Sequence, residues 1–176
     1  PDFNGLDSFE FVANDGMADS EPAVVSLSVA AVNDQPIVLA RTHALDEDGS
    51  VDITLTGSDV DQDELTFEVV KQPENGSLTG TIPALKYTPN PNYNGPDSFE
   101  FIANDGTVNS ERAVVTLSVS LINDVPIAAD QTHTLDEDGH VDITLNGSDI
   151  DQDDLTYRVV RQPNNGILSG AASSFK

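Results

Sequence analysis

The stretch Val51-Asp52-Ile53-Thr54-Leu55-Thr56-Gly57-Ser58-Asp59-Val60-Asp61-Gln62-Asp63-Glu64-Leu65-Thr66-Phe67-Glu68-Val69 decides the fold. Val51, Ile53 and Leu55 alternate with Asp52, Thr54 and Thr56. That period of two gives a strand with one apolar and one polar face. Leu65, Phe67 and Val69 do the same on the far side of the acidic segment. Between them stand Asp59, Asp61 and Asp63. Three carboxylates at alternate positions cannot all face a core, since each isolated buried charge would cost many kcal/mol. Nor do anions gather without cause in a chain whose net charge is already -24. A hard divalent cation supplies the cause, and calcium, with roughly 6–8 oxygen ligands, is the natural one. The competing reading is a solvated acidic turn.

Working outward, the same stretch returns as Gly147-Ser148-Asp149-Ile150-Asp151-Gln152-Asp153. A slide of 90 residues aligns Pro1 with Pro91 and runs without a gap to Gly80 with Gly170, about two thirds of the positions being identical. Over the last six residues, Ala171 to Lys176, the match breaks off. A period of this length is too long for a solenoid turn and suits a small β-sandwich in a tandem array. Further strand signals lie at Ile37 to Leu45, Leu78, Leu85 to Thr88, Phe99 to Ala103 and Val115 to Leu121. Pro73-Glu74-Asn75-Gly76 reads as a tight turn, its Asn-Gly suited to the positive φ of a hairpin. Pro89, Pro91 and Asn94-Gly95-Pro96 form a connection that no helix or central strand would tolerate. The expectation is all-β: a sandwich of about seven strands in each repeat.

Asn33-Asp34-Gln35-Pro36 and Asn123-Asp124-Val125-Pro126 mark the boundaries, because proline ends a strand and stiffens the link that follows. Residues 35–124 are then one complete repeat. Residues 1–34 carry the last strands of a preceding repeat and residues 125–176 the first strands of a following one. The two fragments are complementary, which predicts head-to-tail strand exchange between chains through residues 1–34 and 125–176.

Thirty-one acids against seven bases disfavour nucleic acid or an anionic membrane as partners. Such a surface fits a calcium-rich medium outside the cell. Without cysteine, neither disulfides nor a thiolate zinc site can staple the fold. No apolar run approaches the ~20 residues needed to cross a bilayer, so direct membrane insertion is not expected. Pro1-Asp2-Phe3 reads as the middle of a longer protein rather than as a signal peptide.

The motifs Ser58 to Phe67, Asn75-Gly76-Ser77-Leu78-Thr79-Gly80, Tyr93-Asn94-Gly95-Pro96-Asp97-Ser98-Phe99 and Asn123-Asp124-Val125-Pro126 resemble bacterial cadherin-like tandem repeats. These include the VCBS-type and roughly 95-residue repeats of giant surface adhesins. The resemblance spans nearly the whole chain and implies a Greek-key β-sandwich of cadherin/Ig-like type. It implies calcium at junctions between repeats, stiffening an array that projects from the cell. For the later junction it implies Glu47, Asn123, Asp124, Asp149 and Asp151 as ligands. For the earlier one it implies Asn33, Asp34, Asp59 and Asp61, with Asp105 added. The acidic segment that cadherins carry before the sixth strand is absent. Asp97 stands in its place as a substitute ligand, and Asp63 and Asp153 complete the acidic triplets. The implied partners are neighbouring repeats of the same protein, with polysaccharide or another surface protein as the alternative, calcium-dependent ligand.

Other chemistry is disfavoured. An EF-hand needs glycine at the sixth position and a glutamate at the twelfth, where Glu64 and Val70 stand. Paired carboxylates could hydrolyse glycosides, but an active site occurs once and these acids recur in each repeat. There is no Gly-x-Ser-x-Gly, phosphate loop or His-x-x-x-His, so the chain does not read as an enzyme. His43 and its copy His133 are expected on an exposed or half-exposed first strand, and His140 has no counterpart. Phe9, Phe11, Phe67, Phe99 and Phe101 alternate as core residues rather than as a sugar platform.

Overall fold

A computed structural model describes residues 2–171 and 173–175, apart from the side chains of Ala171 and Phe175. The chain divides into two compact units, residues 1–120 and 121–176.

The first unit opens with a hairpin, β1 (Gly5–Phe11) against β2 (Ala23–Val29). A sandwich follows, built from β3 (Ile37–Val38), β4 (Arg41–Asp46), β5 (Val51–Thr54), β6 (Gly57–Ser58), β7 (Thr66–Lys71), β8 (Gly76–Thr81), β9 (Ala84–Pro89), β10 (Gly95–Asn104) and β11 (Ala113–Ser120). One sheet runs β4-β11-β10-β7 and the other β5-β9-β8, with a short ladder joining β3 to β6. The pairings are antiparallel except β4 with β11, which is parallel. The all-β sandwich is therefore as expected, the first strand being split between β3 and β4.

The period-two pattern explains the packing. Along β10, Asp97, Phe99, Phe101 and Ala103 are buried in alternation, and along β11 Ala113, Val115, Leu117 and Val119 are. From the opposite sheet come Ile53, Leu85 and Tyr87, joined by Leu55. Phe67 and Val69 pack against this cluster, with the rings of Phe67 and Phe101 6.3 Å apart. Burying each large apolar side chain stabilises the sandwich by about 1.5–3 kcal/mol.

Two expectations are corrected. Asn75 and Gly76 do not adopt positive φ, and Pro73 to Asn75 does not turn a hairpin. It crosses from β7 to β8, which lie in different sheets. The buried carboxylate of Asp97 holds the crossing, accepting from Glu74 N–H at 3.0 Å and Asn75 N–H at 2.9 Å. Glycine is needed at 76 for space, since a Cβ there would strike the Tyr87 ring. The second correction concerns Phe9 and Phe11. Unlike Phe99 and Phe101, they are exposed, because nothing among the described residues covers the inner face of the β1–β2 hairpin.

The second unit holds β12 (Ile127–Ala128), β13 (Ile143–Thr144), β14 (Gly147–Ser148), β15 (Gly170–Ala171) and β16 (Ser174–Phe175). Sequence identity ends at Gly170, but the pairing register does not. Ile143 pairs with residue 175 and Thr144 with Ser174, as Ile53 pairs with Leu85 and Thr54 with Ala84. Ala172 and Lys176, where the match was also expected to break, lie outside the described residues.

Candidate functional site

The acidic segment follows β6 and precedes β7, at the end of the sandwich where the chain enters it. Gln62 takes φ 66° and its copy Gln152 φ 65°, so the same left-handed residue bends both segments. That bend brings Asp59, Asp61 and Asp63 together, with one carboxylate oxygen from each within 4.8 Å of the others. Asp61 N–H donates to Asp59 Oδ1 at 2.8 Å. Asp59 Oδ2 is shut off from solvent and accepts no hydrogen bond. Among the described residues no lysine or arginine forms an ion pair with these acids; the ion pairs are Lys71–Glu74, Lys86–Asp52 and Arg112–Glu100.

Asn33 and Asp34 tie the entering chain to this end. Asp34 N–H donates to Asp61 Oδ2 at 2.7 Å. The Asn33 amide donates to Asp105 Oδ2 at 2.9 Å and to the Asp34 carbonyl at 3.0 Å. Asp105 sits in the turn between β10 and β11, where its Oδ1 accepts from Thr107 and Val108 N–H at 2.6 and 2.7 Å. The Asn33 amide, then these backbone donors, hold its carboxyl below the usual carboxylate range. A cavity of about 310 Å³ opens beside Asp34 and Asp61, its other walls coming from Phe3, Asn4 and Val29 at the base of the hairpin.

Within the second unit the arrangement recurs. One oxygen each of Asp149, Asp151 and Asp153 lies within 4.8 Å of the others. Asp124 N–H donates to Asp151 Oδ2 at 2.7 Å, Asp151 N–H to Asp149 Oδ1 at 2.9 Å, and the Asn123 amide to the Asp124 carbonyl at 2.7 Å.

Two candidates lie apart from the triplets. Asp97 is buried, and its oxygens accept from Glu74, Asn75 and Ser98 N–H and from the Tyr87 hydroxyl at 2.8 Å. Burial pushes its carboxyl upward, but these donors outweigh burial and leave the pKa lowered. Burial, then the bond to Asp97, pushes the Tyr87 phenol up. With four donors upon it, Asp97 braces the fold rather than offering a ligand. Glu47 is buried near the end of β11, its N–H donating to the Ser120 carbonyl at 2.9 Å. Sequence reasoning missed the Asp97–Tyr87 pair because its members come from different sheets.

A sandwich of a four-stranded and a three-stranded sheet, its first strand split into β3 and β4, is of immunoglobulin-like type. The chain belongs to the bacterial Ig domain family, whose model matches residues 33–118 and 123–175. That membership supports a bacterial Ig- or cadherin-like repeat without singling out the VCBS type. The chain is 30% identical over 193 aligned positions to "Extracellular matrix protein 3" of Lytechinus variegatus, covering 92% of this chain and 6% of that protein. It is 29% identical over 136 positions to "Integrin beta-like protein B" of Dictyostelium discoideum, covering 68% of this chain and 7% of that protein. The chain thus spans a tenth or less of the length of the curated relatives it matches. An endo-fucoidan hydrolase of glycoside hydrolase family 107 is similar at 20% identity, with a TM-score of 0.41 over 68% of this chain and 19% of that one.

Proposed function

We propose that this chain is a calcium-stiffened extension and adhesion segment of a larger extracellular protein, of the cadherin-like kind, and not an enzyme. The observation that carries the reading is the bonding of Asn33 and Asp34 to Asp105 and Asp61. The residues that link one repeat to the next are joined to the loops that hold the acids.

The donor set fits calcium. Every candidate ligand is an oxygen, and Asp59 Oδ2 is an oxygen with no hydrogen donor, as a carboxylate reserved for a cation should be. Asp59, Asp61 and Asp63 would hold the ion, with Asn33, Asp34 and Asp105 around them. Asp149, Asp151 and Asp153, with Asn123 and Asp124, form the equivalent set, and Glu47 is proposed as a ligand as well. A bound calcium would supply positive charge to an acidic pole and contacts to several oxygens at once. Without that charge the carboxylates repel, and the entering segment keeps only its hydrogen bonds. The repeated acids and the names of the extracellular relatives support this reading over catalysis.

Thermal melting in chelator and across a calcium titration tests it. Free calcium a hundredfold above its dissociation constant adds roughly 2.7 kcal/mol, so a saturating rise of roughly 10 °C or more is expected. Magnesium, which demands tighter octahedral geometry, should not reproduce it. A melting curve unchanged by calcium would overturn the proposal.

A further inference from the structure

Residues 33–36 carry the chain into the sandwich, and each of them is tied down separately. The Asn33 side-chain amide donates to Asp105 Oδ2 at 2.9 Å, and Asp34 N–H to Asp61 Oδ2 at 2.7 Å. The Gln35 side-chain amide donates to the Asn109 carbonyl at 2.6 Å, and Pro36 is fully buried. Of these acceptors, those on Asp105 and Asn109 belong to the turn between β10 and β11.

That turn has its own bracing. The Asn104 side chain accepts from Gly106 N–H at 2.7 Å and donates to Asn109 Oδ1 at 2.6 Å. Ala103 N–H donates to the Ser110 hydroxyl at 2.9 Å, and Ser110 N–H to the Ala103 carbonyl at 2.8 Å. The turn between β1 and β2 makes the same bonds, from Asn14 to Gly16 and Asp19 and between Ala13 and Ser20. Among the described residues, its Asp15 and Asp19 are bonded only within the turn. The turn's own sequence therefore sets its shape, and residues 33–36 meet acceptors that are already in place.

We infer that the β10–β11 turn is a preformed receptor for the entering segment, and that Gln35 is the positioning residue that latches the segment to it without a metal ion. This goes beyond the calcium reading and does not rest on it, since every bond of the latch runs between groups of the protein. A neutral carboxamide suits position 35. It supplies a donor to the Asn109 carbonyl and adds no further charge beside Asp34, Asp61 and Asp105. With the side chain of Gln35 held on one side and Pro36 buried on the other, the main chain at Asp34 is kept in place to donate to Asp61. The corresponding position before Pro126 is Val125, which has no side-chain donor. The latch therefore belongs to the junction at residues 33–36 and not to the one at 123–126, so the two differ in how far they depend on a cation for order.

Hydrogen exchange read by NMR on the full chain, in chelator, tests the latch. The side-chain amide protons of Gln35 should exchange more slowly than those of Gln72, an exposed glutamine. Gln35→Val should speed exchange of the Asp34 N–H about fivefold, the factor that one hydrogen bond of ordinary strength supplies. Gln35→Glu keeps the length but replaces the donor with a carboxylate facing the Asn109 carbonyl, and should do the same. The amides of Gly106, Thr107 and Val108 should keep their natural rates in both variants, because the turn is braced from within. Gln35 is exposed, so the urea midpoint of the sandwich should stay unchanged, which separates loss of the latch from loss of the fold. Asp34 exchange indifferent to both substitutions, protection that arises only when calcium is added, or a turn that loosens together with Gln35 would each overturn the inference.

Discussion

The main-chain N–H of Asp34 donates to Oδ2 of Asp61 at 2.7 Å, across 27 residues of sequence. The pair Asp124 and Asp151 repeats the bond at the same length in the second unit, where residues 131–136 and 156–161 form no strand. The bond therefore does not depend on a finished core. It is made locally, by the bend at Gln62 or Gln152 and by the fixed backbone of the proline that follows each Asn-Asp-x. The acidic triplet is thus shaped by local sequence in the same way in both units.

Asp59→Ala combined with Asp61→Ala should abolish most of the calcium-induced rise in melting temperature. Asp61→Ala removes the acceptor for Asp34 N–H, a loss of about 1 kcal/mol. Removing two like charges from one cluster offsets part of that loss. In chelator the double variant should therefore melt within a few degrees of the natural chain. Calorimetry in both conditions separates the effects, and a full calcium response in the variant would refute the ligand assignment.

Tyr87→Phe should destabilise the complete repeat by about 1.5–3 kcal/mol. The lost bond runs to a charged, buried acceptor, the stronger class of hydrogen bond. Gly76→Ala should cost at least as much, because the added methyl meets the ring itself. Urea unfolding monitored by tyrosine fluorescence checks both.

Asp97 also predicts an acid limb. Its folded pKa lies below the ordinary carboxylate value, so the unfolded chain takes up a proton first as pH falls. The stabilisation is full above the unfolded value of about 3.9 and is lost as pH drops through the folded one. Asp105 contributes in the same direction. In Asp97→Asn the group no longer titrates. The stability gap between natural and variant chains should be widest near neutrality and should narrow below about pH 4, read by urea midpoints at pH 6 and pH 3.

The strands were legible because β10 and β11 keep strict alternation over eight or more residues, and the repeat doubled every signal. The acidic triplets were legible for a related reason: their residues are neighbours in sequence, so spacing alone places them together. What escaped was long-range. Asp97 looks like an acid in a loop-rich connection, and only the crossing of Pro73 to Asn75 between sheets shows four donors converging on it. The Asn-Gly at 75–76 signals a turn by propensity, yet Tyr87 from another strand decides its conformation. Phe9 and Phe99 have the same local sequence and opposite fates, because burial depends on which strands are present to cover them.

His43 gives a last case in which two copies should behave differently. On β4 it is half-buried, opposite Leu117, and its Nε2 is shut off from solvent with no hydrogen-bond partner. A buried ring nitrogen without a partner carries a desolvation cost of about 1–3 kcal/mol. His43→Leu keeps the volume roughly constant and removes that atom, so it should raise stability by about 1 kcal/mol. His133, its copy, is exposed and lies 3.0 Å from the Gln131 side-chain oxygen. His133→Leu should bring no gain. Parallel urea titrations of the two variants decide the matter: equal effects would mean that the His43 ring is solvated and that its surroundings are not those described.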